Sequence, residues 1–184
     1  IGDTRVHDDA PLEASLEAPN GSASDAEAAV QALQVRVADT TINSQTLLAT
    51  DYLNHFNEIV MLLEMVPDMP ECLEDVKEWQ PKSYPDHFRD SSFSEKDLAI
   101  EAYHHAPAQF RNPFDDTVGR MNEVVAVGIE RIERTLESGN REIISHAATA
   151  ASRTLQKLMD IASAIIHGGT VTMDQDEIDT LLDG

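Results

Sequence analysis

From residue 24 onward apolar side chains recur at steps of three and four, and nowhere do they alternate long enough to make a strand. The clearest stripe lies in residues 112–167. Phe114, Val118, Met121, Val125, Ile129, Ile132 and Leu136 draw one face of a helix, and Ile144, Ala147, Ala151, Leu155, Leu158, Ala162 and Ile165 draw another. Asn112 as N-cap, Pro113 at the first helical position, and Asp115 and Asp116 where the helix dipole favours negative charge together mark the start. Ser138, Gly139 and Asn140 supply a C-terminal glycine and a fresh cap, so the two helices should fold back as an antiparallel hairpin.

Upstream, Ser24 and Glu27 form a capping box, and Ala26, Val30, Leu33 and Val37 follow on one face. Leu48, Tyr52, Phe56, Ile59, Leu63 and Val66 continue the period until Pro67 ends it. Between them Thr40, Thr41, Ile42, Asn43 and Ser44 weaken a helix through β-branching and competing side chains, which allows either a kink or a break. Unbroken, a helix over 25–66 would be roughly 60 Å long and would overhang the hairpin, which hints at a partner or a homodimer. Residues 67–112 are cut by Pro67, Pro70, Pro81, Pro85 and Pro107. Short helices are expected at about 70–79 and 95–103, the second capped by Ser94. Trp79, Tyr84, Phe88, Phe93, Tyr103, Phe110 and Phe114 gather here, either as a cap on the end of the bundle or as a ligand pocket.

These patterns predict an all-α protein: a helical bundle over 24–167 with a proline-rich cap at 67–112. An unstructured arm at 1–23 and a linker with a terminal peptide at 168–184 flank it. The formal charge of −21 over 184 residues, with no basic cluster, argues against nucleic acid and anionic membrane as partners. No apolar run is long enough to span a bilayer or form a signal-peptide core, although the chain begins with Ile1, which limits any targeting argument. With Cys72 the single cysteine, the expected setting is a reducing, cytoplasmic one.

The terminal peptide carries the most specific pattern. After Gly168 and Gly169, Asp174 can cap a short helix with Glu177 completing the box, while Ile178, Leu181 and Leu182 form a small apolar face amid acid. So short a helix is marginal alone and suits ordering by a groove, either on a partner or on its own bundle. The run Met173-Asp-Gln-Asp-Glu-Ile-Asp-Thr-Leu-Leu182 resembles the response-regulator-binding segment of the flagellar motor switch protein. It is also similar to the C-terminal segment of the chemotaxis phosphatase. The resemblance implies a response regulator as partner, contacted by Asp174, Gln175, Glu177, Ile178, Leu181 and Leu182.

That phosphatase is itself a helical hairpin whose catalytic acid and water-orienting amide lie one helical turn apart. Phe114-Asp-Asp-Thr-Val-Gly-Arg120 is similar to its Phe-x-Asp-x-x-Gly-Gln, with Asp116 at the acid position as the one candidate catalytic residue. Arg120 stands where the glutamine belongs and cannot accept a hydrogen bond from water. The helix order also differs, because another helix follows before the tail. Gln156 and Asp160 repeat the spacing in reverse order. Metal chemistry finds little support: Glu101 and His104 form a lone E-x-x-H, and His55 with Glu58 and Glu142 with His146 read as paired surface side chains. No metal and no cofactor are expected. The function expected from the sequence is a non-enzymatic adaptor or regulator in bacterial chemotaxis or motility signalling. The alternatives are a divergent acyl-phosphate phosphatase of the same regulator and a helical protein that binds a small ligand or metal in its aromatic cap.

Overall fold

A computed structural model describes residues 21–136, 138–170 and 172–183. Every regular element among them is helical, and one isolated bridge joins Ile42 to Ala49. The fold is all-α. The expected arm at 1–23 lies outside the described residues up to residue 20, and α1 (Gly21–Val37) already begins at Gly21. Ser24 therefore sits within the helix, where neighbouring alanines favour continuation.

The helix over 25–66 is broken. Residues 38–49 leave the axis because side chains capture the backbone, as competing Thr and Asn hydrogen bonds do. The Thr40 hydroxyl donates to the Val37 carbonyl at 2.8 Å, and Asn43 Oδ1 accepts from the N–H groups of Gln45 and Thr46 at 2.9 and 3.0 Å. Leu47, buried, adopts a left-handed φ of 60°. The chain resumes as a 3₁₀ turn (Thr50–Leu53) and α2 (Asn54–Met65). Among the described residues no helix overhangs the hairpin in this way, so the hint of a partner drawn from its length falls away.

The cap contains three short helices, α3 (Cys72–Glu78), α4 (Tyr84–Asp90) and α5 (Lys96–His104). The first and third lie where expected, with Glu95 rather than Ser94 at the cap position of α5. The second was hidden by Pro81 and Pro85. Its signal is Ser83, whose side chain accepts from the Asp86 N–H, with Pro85 tolerated in the first turn.

The hairpin is α6 (Ala108–Leu136) and α7 (Arg141–Ile166), closed by Gly139 at φ 63° and capped by Asn140, whose side chain accepts from Glu142 and Ile143. α6 starts one turn before Asn112, so Pro113 lies inside the helix and leaves the Gln109 carbonyl without its usual donor. Every stripe residue named for the hairpin is buried or half-buried. α7 is the central element. It packs against α6, α2 and the 3₁₀ turn, and the terminal helix α8 (Gln175–Asp183) lies against it as well. Gln156 of α7 donates to Glu64 of α2 at 2.8 Å, and Thr46 donates to the Ile166 carbonyl at 2.6 Å, which ties the broken segment to the end of α7. No helix among the described residues is long and apolar enough to cross a membrane.

The crossing of α6 and α7 is close enough to require glycine, because a Cβ on Gly128 would stand 2.9 Å from Ala151 Cβ. Gly128→Ala gains helix propensity of about 1 kcal/mol but forces the helices apart. The expected net result is destabilisation by about 1–2 kcal/mol in urea unfolding. Adding Ala151→Gly restores most of the loss to overpacking.

Candidate functional site

Two regions carry chemistry: the terminal helix and the aromatic cap. Gly168, at φ 89°, donates to the Ile165 carbonyl, and Gly169 donates to the Ala164 carbonyl at 2.7 Å. A Cβ on Gly169 would meet that carbonyl oxygen at 2.8 Å, so the two glycines stop α7 tightly and redirect the chain. The capping box expected of α8 is formed in both directions. Asp174 Oδ1 accepts from the Glu177 N–H at 2.9 Å, and Glu177 Oε2 accepts from the Asp174 N–H at 3.0 Å. Gln175 donates to Asp179 at 3.0 Å along the exposed side.

Ile178 and Leu182 are only 1% and 6% exposed, and both belong to the core cluster of the bundle. Leu181 is half-buried, while Asp174, Gln175 and Glu177 face solvent. In the isolated chain, then, the groove that orders α8 is the protein's own. Arg131 of α6 holds the far end: Nη1 donates to the Leu182 carbonyl at 2.6 Å and Nη2 to Asp183 at 2.7 Å, so a cation meets the negative end of the helix dipole.

Asp116 is exposed on α6, and Arg120 one turn on is half-buried with Nη1 enclosed and without a hydrogen-bond partner among the described residues. The neighbouring Asp115, read from the sequence only as a helix-terminal acid, has the richer environment. It accepts from the Tyr103 hydroxyl at 3.0 Å, pairs with Arg111 at 3.5 Å, and lines a cavity of about 350 Å³. Burial raises its carboxyl above the ordinary range, against the opposing pull of Tyr103 and Arg111.

The cap is an aromatic stack. Tyr103 lies on Tyr84 at 4.5 Å between ring centres, His55 lies on Trp79 at 4.5 Å, and Tyr52 meets Phe56, Phe114 and His87 edge-on. Three polar tips have backbone partners: Trp79 donates to the His55 carbonyl at 3.2 Å, Tyr52 donates to the Lys82 carbonyl at 2.8 Å, and the Tyr84 oxygen accepts from the Ala49 N–H at 2.8 Å. A second cavity, about 230 Å³, opens beside His55, Glu58, Lys82, His87 and Asp90, with Lys82 bonded to Asp90 at 2.8 Å. His55 is 7% exposed and its Nε2 has no hydrogen-bond partner among the described residues. Reading His55 and Glu58 as a surface pair missed this burial, and His87 was not singled out at all. Two short spacings, His55 with Glu58 and His87 with Asp90, were the available signal.

Glu101 is taken by Arg36 in a two-pronged pair at 2.6 and 2.8 Å, which removes the lone E-x-x-H from consideration. Cys72 is buried and unbridged. No group of three or more His, Cys, Asp or Glu residues is set to hold a metal ion among the described residues.

Burial, and then His87 and Lys82, push the His55 imidazole down to about 4. The unfolded chain takes up this proton below about 6.5, whereas the folded chain takes it up only near 4. Stability is therefore fully present above the upper value and is lost as pH falls through the window. His55→Phe should flatten the dependence of unfolding free energy on pH between these limits by on the order of 2 kcal/mol, as read from urea titrations at a series of pH values. No protein-family model, curated protein or solved structure was found to match this chain.

Proposed function

We propose that this protein is a non-enzymatic adaptor or regulator of bacterial chemotaxis or motility signalling that binds a response regulator through α8. The carrying observation is the construction of α8 itself. A reciprocal capping box pre-forms the helix, an acidic first turn stays in solvent, and Ile178 and Leu182 supply one apolar face. This is the build that the resemblance of Met173 to Leu182 calls for. A helix in a partner's groove takes its affinity from such a face and its orientation from the charged rim.

Because Ile178 and Leu182 are already buried, the regulator competes with the chain's own groove for them. A nine-residue helix is marginal by itself. Its docking rests on two aliphatic anchors and the Arg131 clamp, far less than holds the α6–α7 hairpin together. Apparent affinity is the intrinsic affinity reduced by the fraction of chains in which α8 is free.

The catalytic alternative has less behind it. Asp116 is exposed, but the residue one turn later is Arg120, which can only donate.

Titration of the full chain against a chemotaxis response regulator carrying a phosphoryl mimic should show saturable binding that is lost in a chain ending at Gly169. Arg131→Ala should tighten it about fivefold, the equivalent of roughly 1 kcal/mol of hydrogen bonding removed from the docked state. Asp116→Ala should leave the regulator's rate of phosphate loss unchanged. Equal behaviour of the full and shortened chains would overturn the assignment.

A further inference from the structure

We propose that the cavity between α5, α6 and the turn before α4 is a binding site for a small organic cation: an alkyl ammonium carrying a second hydrogen-bond donor. The cavity, about 350 Å³, is in the lower range for small-molecule sites, and Tyr52, Tyr84, Tyr103 and Phe114 supply part of its wall. Tyr103 and Tyr84 stack at 4.5 Å with Phe114 edge-on to Tyr84 at 5.9 Å, apolar surface suited to an alkyl chain. The Arg111 guanidinium carbon lies 4.6 Å from the centre of the Tyr103 ring, which Tyr84 also stacks on, so the ligand's ammonium is held by the Asp115 carboxylate rather than by that ring.

Two acceptors that line the cavity keep capacity for a donor. Asp115 has one modest bond to each oxygen, from Tyr103 at 3.0 Å and Arg111 at 3.5 Å, which leaves lone pairs on both. Asn122 also lines the cavity, and its buried Oδ1 has no partner among the described residues. Asp115 and Asn122 are two helical turns apart on one face of α6, about 10 Å along the axis. A ligand reaching both needs an ammonium at one end and an N–H or O–H at the other. The cation on the cavity's rim, Lys82, is engaged by Asp90 at 2.8 Å, and the chain's formal charge of −21 further disfavours an anion.

The test is calorimetric titration of the full chain with cadaverine, aminopentanol, pentanediol and glutarate at about 0.15 M salt, where diffuse attraction to a polyanion is screened. Cadaverine and aminopentanol should bind one to one, and pentanediol and glutarate should not. Asp115→Asn should weaken cadaverine tenfold or more, and Asn122→Asp should strengthen it severalfold, each with helix content retained by circular dichroism. Should Asp115→Asn fail to fold, the Asn122→Asp result decides alone. The proposal is overturned if cadaverine shows no saturation by about 10 mM, if pentanediol binds equally well, or if Asn122→Asp leaves cadaverine affinity unchanged.

Discussion

α7 must be thin, because helices approach it from several directions. Ala148, Ala151 and Ala162 are buried along it, and Gly128 of α6 comes so near Ala151 that no side chain fits between. Small residues bring helix axes together and multiply dispersion contacts, each weak but numerous. α2 is pinned to α7 by Gln156 and Glu64, the broken segment by Thr46, and α8 by Ile178 and Leu182. Widening α7 would disturb the interfaces of the hairpin, the cap and the tail together.

The hairpin was legible in the sequence because its signals are local: a sustained 3.6-residue period, then Gly139 and Asn140 at the turn. The break after Val37 was only half legible. Thr40 and Asn43 announce competition with the helix, but the outcome depended on where Leu47, Leu48 and Ala49 could be buried, which is a tertiary matter. α4 escaped because prolines were weighed as breakers when Pro85 stands in the first turn, where its missing N–H costs nothing. A pocket in the cap was readable only as one alternative, from the gathering of aromatic residues, and not its lining. It assembles Tyr52, Tyr84, Tyr103 and Asp115 from four elements, and no spacing in the chain records that meeting.

The two candidate sites share α6 and use it differently. Near its start, Phe114, Asp115 and Asn122 face the cap, where backbone hydrogen bonds hold Tyr52, Trp79 and Tyr84 and the Asn122 Oδ1 is left open. Further along, Arg131 reaches the end of α8 and neutralises its dipole. The cap is held by many ring contacts and by backbone bonds to Tyr52, Trp79 and Tyr84. The tail is held by few contacts, which is the condition for a segment that exchanges one groove for another.

The central claim is that the apolar face of α8 serves its own bundle and a regulator in turn. Amide hydrogen exchange across α8 in the full chain, alone and with a phosphoryl-mimic-bearing response regulator, tests it most directly. The account predicts that in the free chain α8 opens separately and exchanges much faster than α7, and that the regulator then protects it. Protection of α8 equal to that of α7 and unchanged by the regulator would contradict the account, because the helix would then be a fixed part of the core.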